Sequence, residues 1–168
     1  MGLDATVYCN CIERGLLRTP HPYPDLLYIC EDGCPEIRSS DPERQSEHDR
    51  WQSGAACNHE DMVACFAWLG NISGVGHIRN LLTSIATSPD APNLRVLLDK
   101  VVYSGIHCGD YLTMEEVTSL GEEIQNLQQF NFKHAAISSR DEPFVRSFLT
   151  ELQRLVETSL SMHKPISF

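Results

Sequence analysis

Hydrophobic and polar positions follow two periods along this chain. Over residues 3–12 (Leu-Asp-Ala-Thr-Val-Tyr-Cys-Asn-Cys-Ile) the period is close to two. That spacing predicts an opening strand with Val7, Cys9 and Cys11 on one face. Pro20, Pro22 and Pro24 predict an extended connection over 19–25. A short strand over 26–30 follows, then a turn over 31–35 with Gly33 free to take positive φ. Asp41 before Pro42 predicts the cap and first turn of a short helix that runs to about Trp51 and is broken at Ser53-Gly54-Ala55. The apolar run 62–69 predicts a buried strand, ended by Gly70-Asn71.

Beyond that run the helical period takes over. Ile78, Leu81, Leu82 and Ile85 place a helix over 73–86, and Pro89 with Pro92 a loop over 88–93. Val101-Val102-Tyr103 predicts a strand. Thr113 and Glu116 have capping-box spacing, before a stripe of Val117, Leu120, Ile124 and Leu127. A second long helix starts near Pro143, with Phe144, Phe148, Leu152, Leu155 and Leu160 on a broad apolar face. Lys164-Pro165 stops it, and 166–168 predicts an edge strand. The pattern predicts one α+β domain over 1–168, a small mixed or antiparallel sheet packed against C-terminal helices.

Composition narrows the class. The 168 residues are 42 % hydrophobic and 21 % charged, an ordinary globular mixture that excludes a disordered or collagen-like chain. The apolar run 62–69 is far shorter than the roughly 20 residues a membrane helix needs. The opening Met-Gly-Leu-Asp lacks a basic region followed by an apolar stretch, so a cytoplasmic location and no leader are expected. Seven cysteines cannot all pair within the chain, and with that location reduced thiols are expected. The net charge of −10 opposes nonspecific binding to nucleic acid. Residues 1–61 carry 12 acids against 5 bases. That excess fits a solvated surface, or an acidic face that steers a basic partner. In the second case Asp41, Glu43, Glu47 and Asp49 supply the charge, and Trp51, Tyr23 or Tyr28 an anchor.

Two groups of residues offer chemistry. Ser104, His107, Cys108 and Asp110 lie between a predicted strand and the capped helix. There His107 could act as acid or base, Asp110 could orient it, and Ser104 or Cys108 could attack. The same residues could simply shape a loop around Gly105 and Gly109. Cys57 and His59 are soft ligands that, with His107 and Cys108, would complete a four-ligand zinc set. Against that set, the chain has no Cys-x-x-Cys pair, and the base expectation is no cofactor. Cys9 and Cys11 are compatible with two ligands on one strand face, and equally with ordinary packing. The segment 70–77 resembles a phosphate cradle without its third glycine or its lysine, and fits a helix cap with Asn71 or Ser73 as acceptor.

The opening Met1-Gly2-Leu3-Asp4, the stretch from Ser104 to Asp110 before the capped helix, and the closing Lys164-Pro165-Ile166-Ser167-Phe168 resemble uncharacterised small bacterial cytosolic proteins. Some acidic α+β proteins of this size are similar to the immunity proteins of polymorphic toxin systems. The resemblance implies a bacterial origin and a protein partner, and it carries no site residue with it. The two function classes are therefore an acidic, non-enzymatic binding module and a small hydrolase or transferase built on His107 and Asp110, with Cys108 or zinc.

Overall fold

The computed structural model describes residues 2–105, 107, 109–135 and 137–168. Its main sheet has four antiparallel strands in the order β4-β1-β6-β5. These are β1 (Gly2–Tyr8), β4 (Val63–Asn71), β5 (Tyr111–Leu112) and β6 (Ile166–Ser167). A separate hairpin pairs β2 (Leu27–Ile29) with β3 (Pro35–Ile37). Four α-helices complete the domain: α1 (Pro42–Arg50), α2 (Ile72–Ala86), α3 (Met114–Gln129) and α4 (Glu142–Met162). The α+β class predicted from the pattern is what the chain adopts. No helix among the described residues is long and apolar enough to cross a membrane.

The long β1–β4 ladder organises the core. Period-two alternation buries Leu3, Ala5 and Val7 of β1 and Cys65, Ala67 and Leu69 of β4 in one large cluster. Against it lie Ile78, Leu82 and Ile85 of α2, the α3 stripe, and Val145, Phe148, Leu149, Leu152, Leu155 and Val156 of α4. The capping box forms as the sequence predicts, with reciprocal bonds between Thr113 and Glu116. Asp41 caps α1 by accepting from the Glu43 amide at 3.0 Å. Asn71 caps α2, and its Oδ1 takes the Gly74 amide at 2.8 Å. A donor that a bound phosphate would have used is thus occupied.

Three expectations are corrected. Residues 166–167 form an interior strand, since β6 lies between β1 and β5. Phe144 and Leu160 sit at the rim of the α4 face and remain 42 % and 41 % exposed. The strand expected at 101–103 is replaced by a π-helical turn, Leu97–Val101. The cause is tertiary: the buried Glu123 carboxylate on α3 accepts from the amides of Val96 and Leu97 at 2.8 and 2.9 Å. It caps that turn from outside and overrides the β preference of Val101 and Val102.

Phe148 is 5 % exposed inside the main cluster. We expect Phe148→Ala to cost about 3–5 kcal/mol in chemical denaturation, as loss of a buried aromatic does. An unchanged unfolding midpoint would show that this face of α4 is not core.

Candidate metal centre

A second, smaller core lies beyond the end of β1. It contains Cys9, Cys11, Trp51, Ala56, Cys57 and Met62. The alternation of β1 continues into it, because the Cys9 amide still bonds the Met62 carbonyl at 2.7 Å. Cys9 therefore stays on the inward face, as Leu3, Ala5 and Val7 do before it, and Cys11 is buried beside it at the start of the turn that leads to Leu16. From the other side, α1 runs into a π-helical turn, Trp51–Ala55, closed by a bond from the Ala56 amide to the Trp51 carbonyl at 2.8 Å. The turn delivers Cys57. Its loop is tied down by the Arg18 amide, which bonds the Ala56 carbonyl at 2.8 Å. Asp61 and Met62 then take left-handed backbone (φ 50° and 58°), reversing the chain into β4. Left-handed residues cost of order 1 kcal/mol each and persist where the surroundings hold them. Here the buried Met62 side chain and the Cys9–Met62 bond do so.

Two i,i+2 pairs meet at this point. The ligand atoms of Cys9, Cys11, Cys57 and His59 all lie within 4.8 Å of one another. Cys9 Sγ is 3.7 Å from Cys57 Sγ. His59 Nδ1 is 3.5 Å from Cys11 Sγ and 3.6 Å from Cys57 Sγ. These separations can be set against the geometry of a metal. Tetrahedral zinc with Zn–S near 2.3 Å and Zn–N near 2.05 Å has S···S edges of about 3.8 Å and S···N edges of about 3.6 Å. The Cys9–Cys57, Cys11–His59 and Cys57–His59 edges fall within about 0.1 Å of those values, and the other three are no longer than 4.8 Å. The set Cys₃His is soft and borderline, suited to zinc rather than to magnesium or calcium. All four corners are protein atoms, the pattern of a structural centre rather than of one that keeps a position open for substrate. The His59 amide also points at Cys57 Sγ, 3.4 Å away, where it would offset thiolate charge.

Electrostatics define the metal-free state. Burial pushes the Cys9 thiol up to about 12. The Cys11 thiol is raised too, chiefly by burial, with Arg14 opposing. Both thus keep their protons at neutral pH until a cation displaces them.

The residues singled out from the sequence fall in three places. Cys57 and His59 are in the cluster, but Cys9 and Cys11 complete it instead of His107, and Cys108 lies outside the described residues. His107 packs on Tyr103 and Phe168, with ring centroids at 4.5 and 5.0 Å. Its Nδ1 is 3.6 Å from Asp110 Oδ2, the oxygen that also accepts from Tyr103 Oη at 2.6 Å. Burial lowers its pKa, and Asp110 opposes that. Lys100, Tyr103, Asp110 and Phe168 help to line a cleft of about 220 Å³ there. Ser104 is exposed. On α1, Glu43 and Asp49 are exposed, Asp41 caps the helix and pairs with Arg44 at 3.6 Å, and Glu47 accepts from Tyr23 Oη. Trp51 corrects its expectation as a surface anchor. It is 4 % exposed, and its indole N–H is bonded to the Thr19 carbonyl at 2.8 Å.

Each thiol still protonated in the metal-free protein must lose its proton on binding. Cys9 and Cys11 alone should therefore weaken zinc affinity about hundredfold for each unit of falling pH below neutrality. Competition titration with a zinc-binding dye between pH 8 and 6 checks this. An affinity independent of pH would mean that those thiols do not bind as thiolates. No protein-family model, no curated protein and no solved structure matches this chain.

Proposed function

We propose that this chain is a non-enzymatic protein-binding module in which zinc, held by Cys9, Cys11, Cys57 and His59, fixes the acidic helix α1 against the end of the sheet. The observation that carries the reading is the convergence of four soft ligand atoms within 4.8 Å of one another, with three of their separations matching the edges of a zinc tetrahedron. A centre with no open position holds chain segments together; it does not activate water. The segments in question are the exit of β1 and the loop that continues from α1. Zinc would thereby fix the helix that carries Glu43, Glu47 and Asp49. With a net charge of −10, such a face suits a basic partner, as an immunity-type inhibitor would present to a basic toxin domain.

A second reading, a small hydrolase or transferase, is favoured by one observation: His107 and Asp110 lie together at the edge of a cleft. A half-buried histidine with a lowered pKa beside a carboxylate suits general-base chemistry.

Protein purified after growth with zinc should contain one zinc per chain by elemental analysis. Cys9→Ser and His59→Ala should both lose the metal and lower the melting temperature. At free zinc about 1,000-fold above Kd, the bound metal adds about 4 kcal/mol to stability. A basic protein retained by the immobilised chain and then purified should associate at a rate that falls steeply with salt. Glu43→Gln with Asp49→Asn should slow that association and leave zinc content unchanged. Metal-free protein, or association indifferent to salt and to these substitutions, would overturn the reading.

A further inference from the structure

Two histidines the zinc set does not use are buried side by side. His21 is 5 % exposed and His48 is 3 % exposed. His21 Nε2 lies 3.0 Å from His48 Nδ1. The outer nitrogen of each ring meets the backbone. The Tyr23 amide donates to His21 Nδ1 at 2.9 Å, and His48 Nε2 lies 3.2 Å from the Pro35 carbonyl. The pair thus spans three elements: the 19–25 segment, α1 and β3. Trp51 closes the site, edge-on to His21 at 4.6 Å and stacked over His48 at 6.0 Å.

The two ends of this chain of hydrogen bonds fix everything between them. An amide N–H can only donate, and a carbonyl oxygen can only accept. His21 Nδ1 is therefore bare and His21 Nε2 carries the proton. His48 Nδ1 accepts that proton, and His48 Nε2–H donates to Pro35. Three gaps hold three protons, and both rings are neutral. A fourth proton has no gap to enter. On His21 Nδ1 it faces the Tyr23 amide. On His48 Nδ1 it faces His21 Nε2–H. If His21 switches tautomer to relieve that clash, the conflict moves to Tyr23. One pair of donors is left pointing at each other wherever the proton sits, at a buried site.

We propose that the His21–His48 pair is a proton-operated latch: neutral, it fastens α1 and the 19–25 segment to β3, and a single added proton releases them. The proposal rests on neither the zinc reading nor the identity of a partner. Burial lowers the pKa of His21, and His48 adds to the shift. Other groups around the pair do not remove the conflict. Glu36 on β3 is close enough to sense His48 but accepts from Tyr28 Oη at 2.6 Å. Glu47 on α1 is engaged with Tyr23 Oη, and Arg44 lies over the Tyr23 ring, 5.3 Å from its centroid. The Trp51 ring can attract a cation, but it supplies no acceptor to either nitrogen.

The sign follows. The unfolded chain takes up protons near the ordinary histidine value of about 6.5, and the folded latch resists them. Stability is therefore complete above that pH and is lost as pH falls below it. For His21 the unfolding constant should rise by up to about tenfold per pH unit between about 6 and 5. The chain has two tryptophans, so Trp68→Phe, which replaces an exposed residue, leaves Trp51 as the single emitter. We expect Trp51 emission in the zinc-supplemented protein to change over this interval, in step with urea unfolding. His21→Gln with His48→Gln should abolish both changes, since an amide can accept and donate at those positions without titrating. Zinc measured on the same samples separates the latch from loss of metal, because both proteins share the metal ligands. Nitrogen NMR at pH 7.5 gives a test that needs no variant: both rings should be neutral with the proton on Nε2. A ring protonated on Nδ1, or an undiminished pH response in the doubly substituted protein at unchanged zinc content, would overturn the proposal.

Discussion

The alternation of β1 is the constraint on which the rest depends. One extended segment, running inward-outward from Leu3, serves both cores. Its first half buries Leu3, Ala5 and Val7 under α2 and α4, and its continuation buries Cys9 and Cys11 beside Trp51 and Met62. The ladder is irregular between Val7 and Tyr8, and past it the Cys9 amide still bonds the Met62 carbonyl before the chain turns at Cys11. Because side chains alternate strictly, a slip of one residue would expose the apolar set and the two thiols together. Fold and candidate site are therefore held by the same register.

The two cores differ in what keeps them closed. The main cluster unites side chains from the sheet and three helices, so apolar burial suffices. The second has few apolar residues, and polar fasteners surround it. Trp51 is bonded to the Thr19 carbonyl, the His21–His48 pair reaches β3, and Lys164 beyond α4 reaches back to Glu13. A metal bound to the Cys₃His set belongs to the same series. It adds binding energy where apolar area is short, as small or loop-rich regions commonly require.

Much of this was legible in the sequence, with its failures in one kind of place. The caps at Asp41 and Thr113, the strand after Met62 and the inward faces of α3 and α4 follow from spacing and local propensity, which nearest neighbours decide. The turn at 97–101 does not, because the carboxylate that caps it is on α3, more than twenty residues later. The interior position of β6 has a similar cause: two residues beyond a helix look like an edge until the sheet is assembled around them. For the site, both halves were visible as i,i+2 pairs, Cys9 with Cys11 and Cys57 with His59. What spacing within each pair cannot express is the contact between them across 48 residues, and so Cys57 and His59 were matched with His107 and Cys108.

Protonation opposes both devices of the second core, by different physics. In the metal set a proton competes with the cation for a lone pair, so abundant zinc can offset acid by mass action. In the histidine pair no ligand competes. The proton is excluded by the direction of three hydrogen bonds between a fixed donor and a fixed acceptor. Metal supply can tune the first and cannot touch the second. α1 is tied to β3 through His48 and continues into the loop that carries Cys57, so a metal there would hold its acidic face from a second side. Protonation of the pair would release α1 from β3, while a metal at Cys57 would still tether the chain beyond the end of the helix.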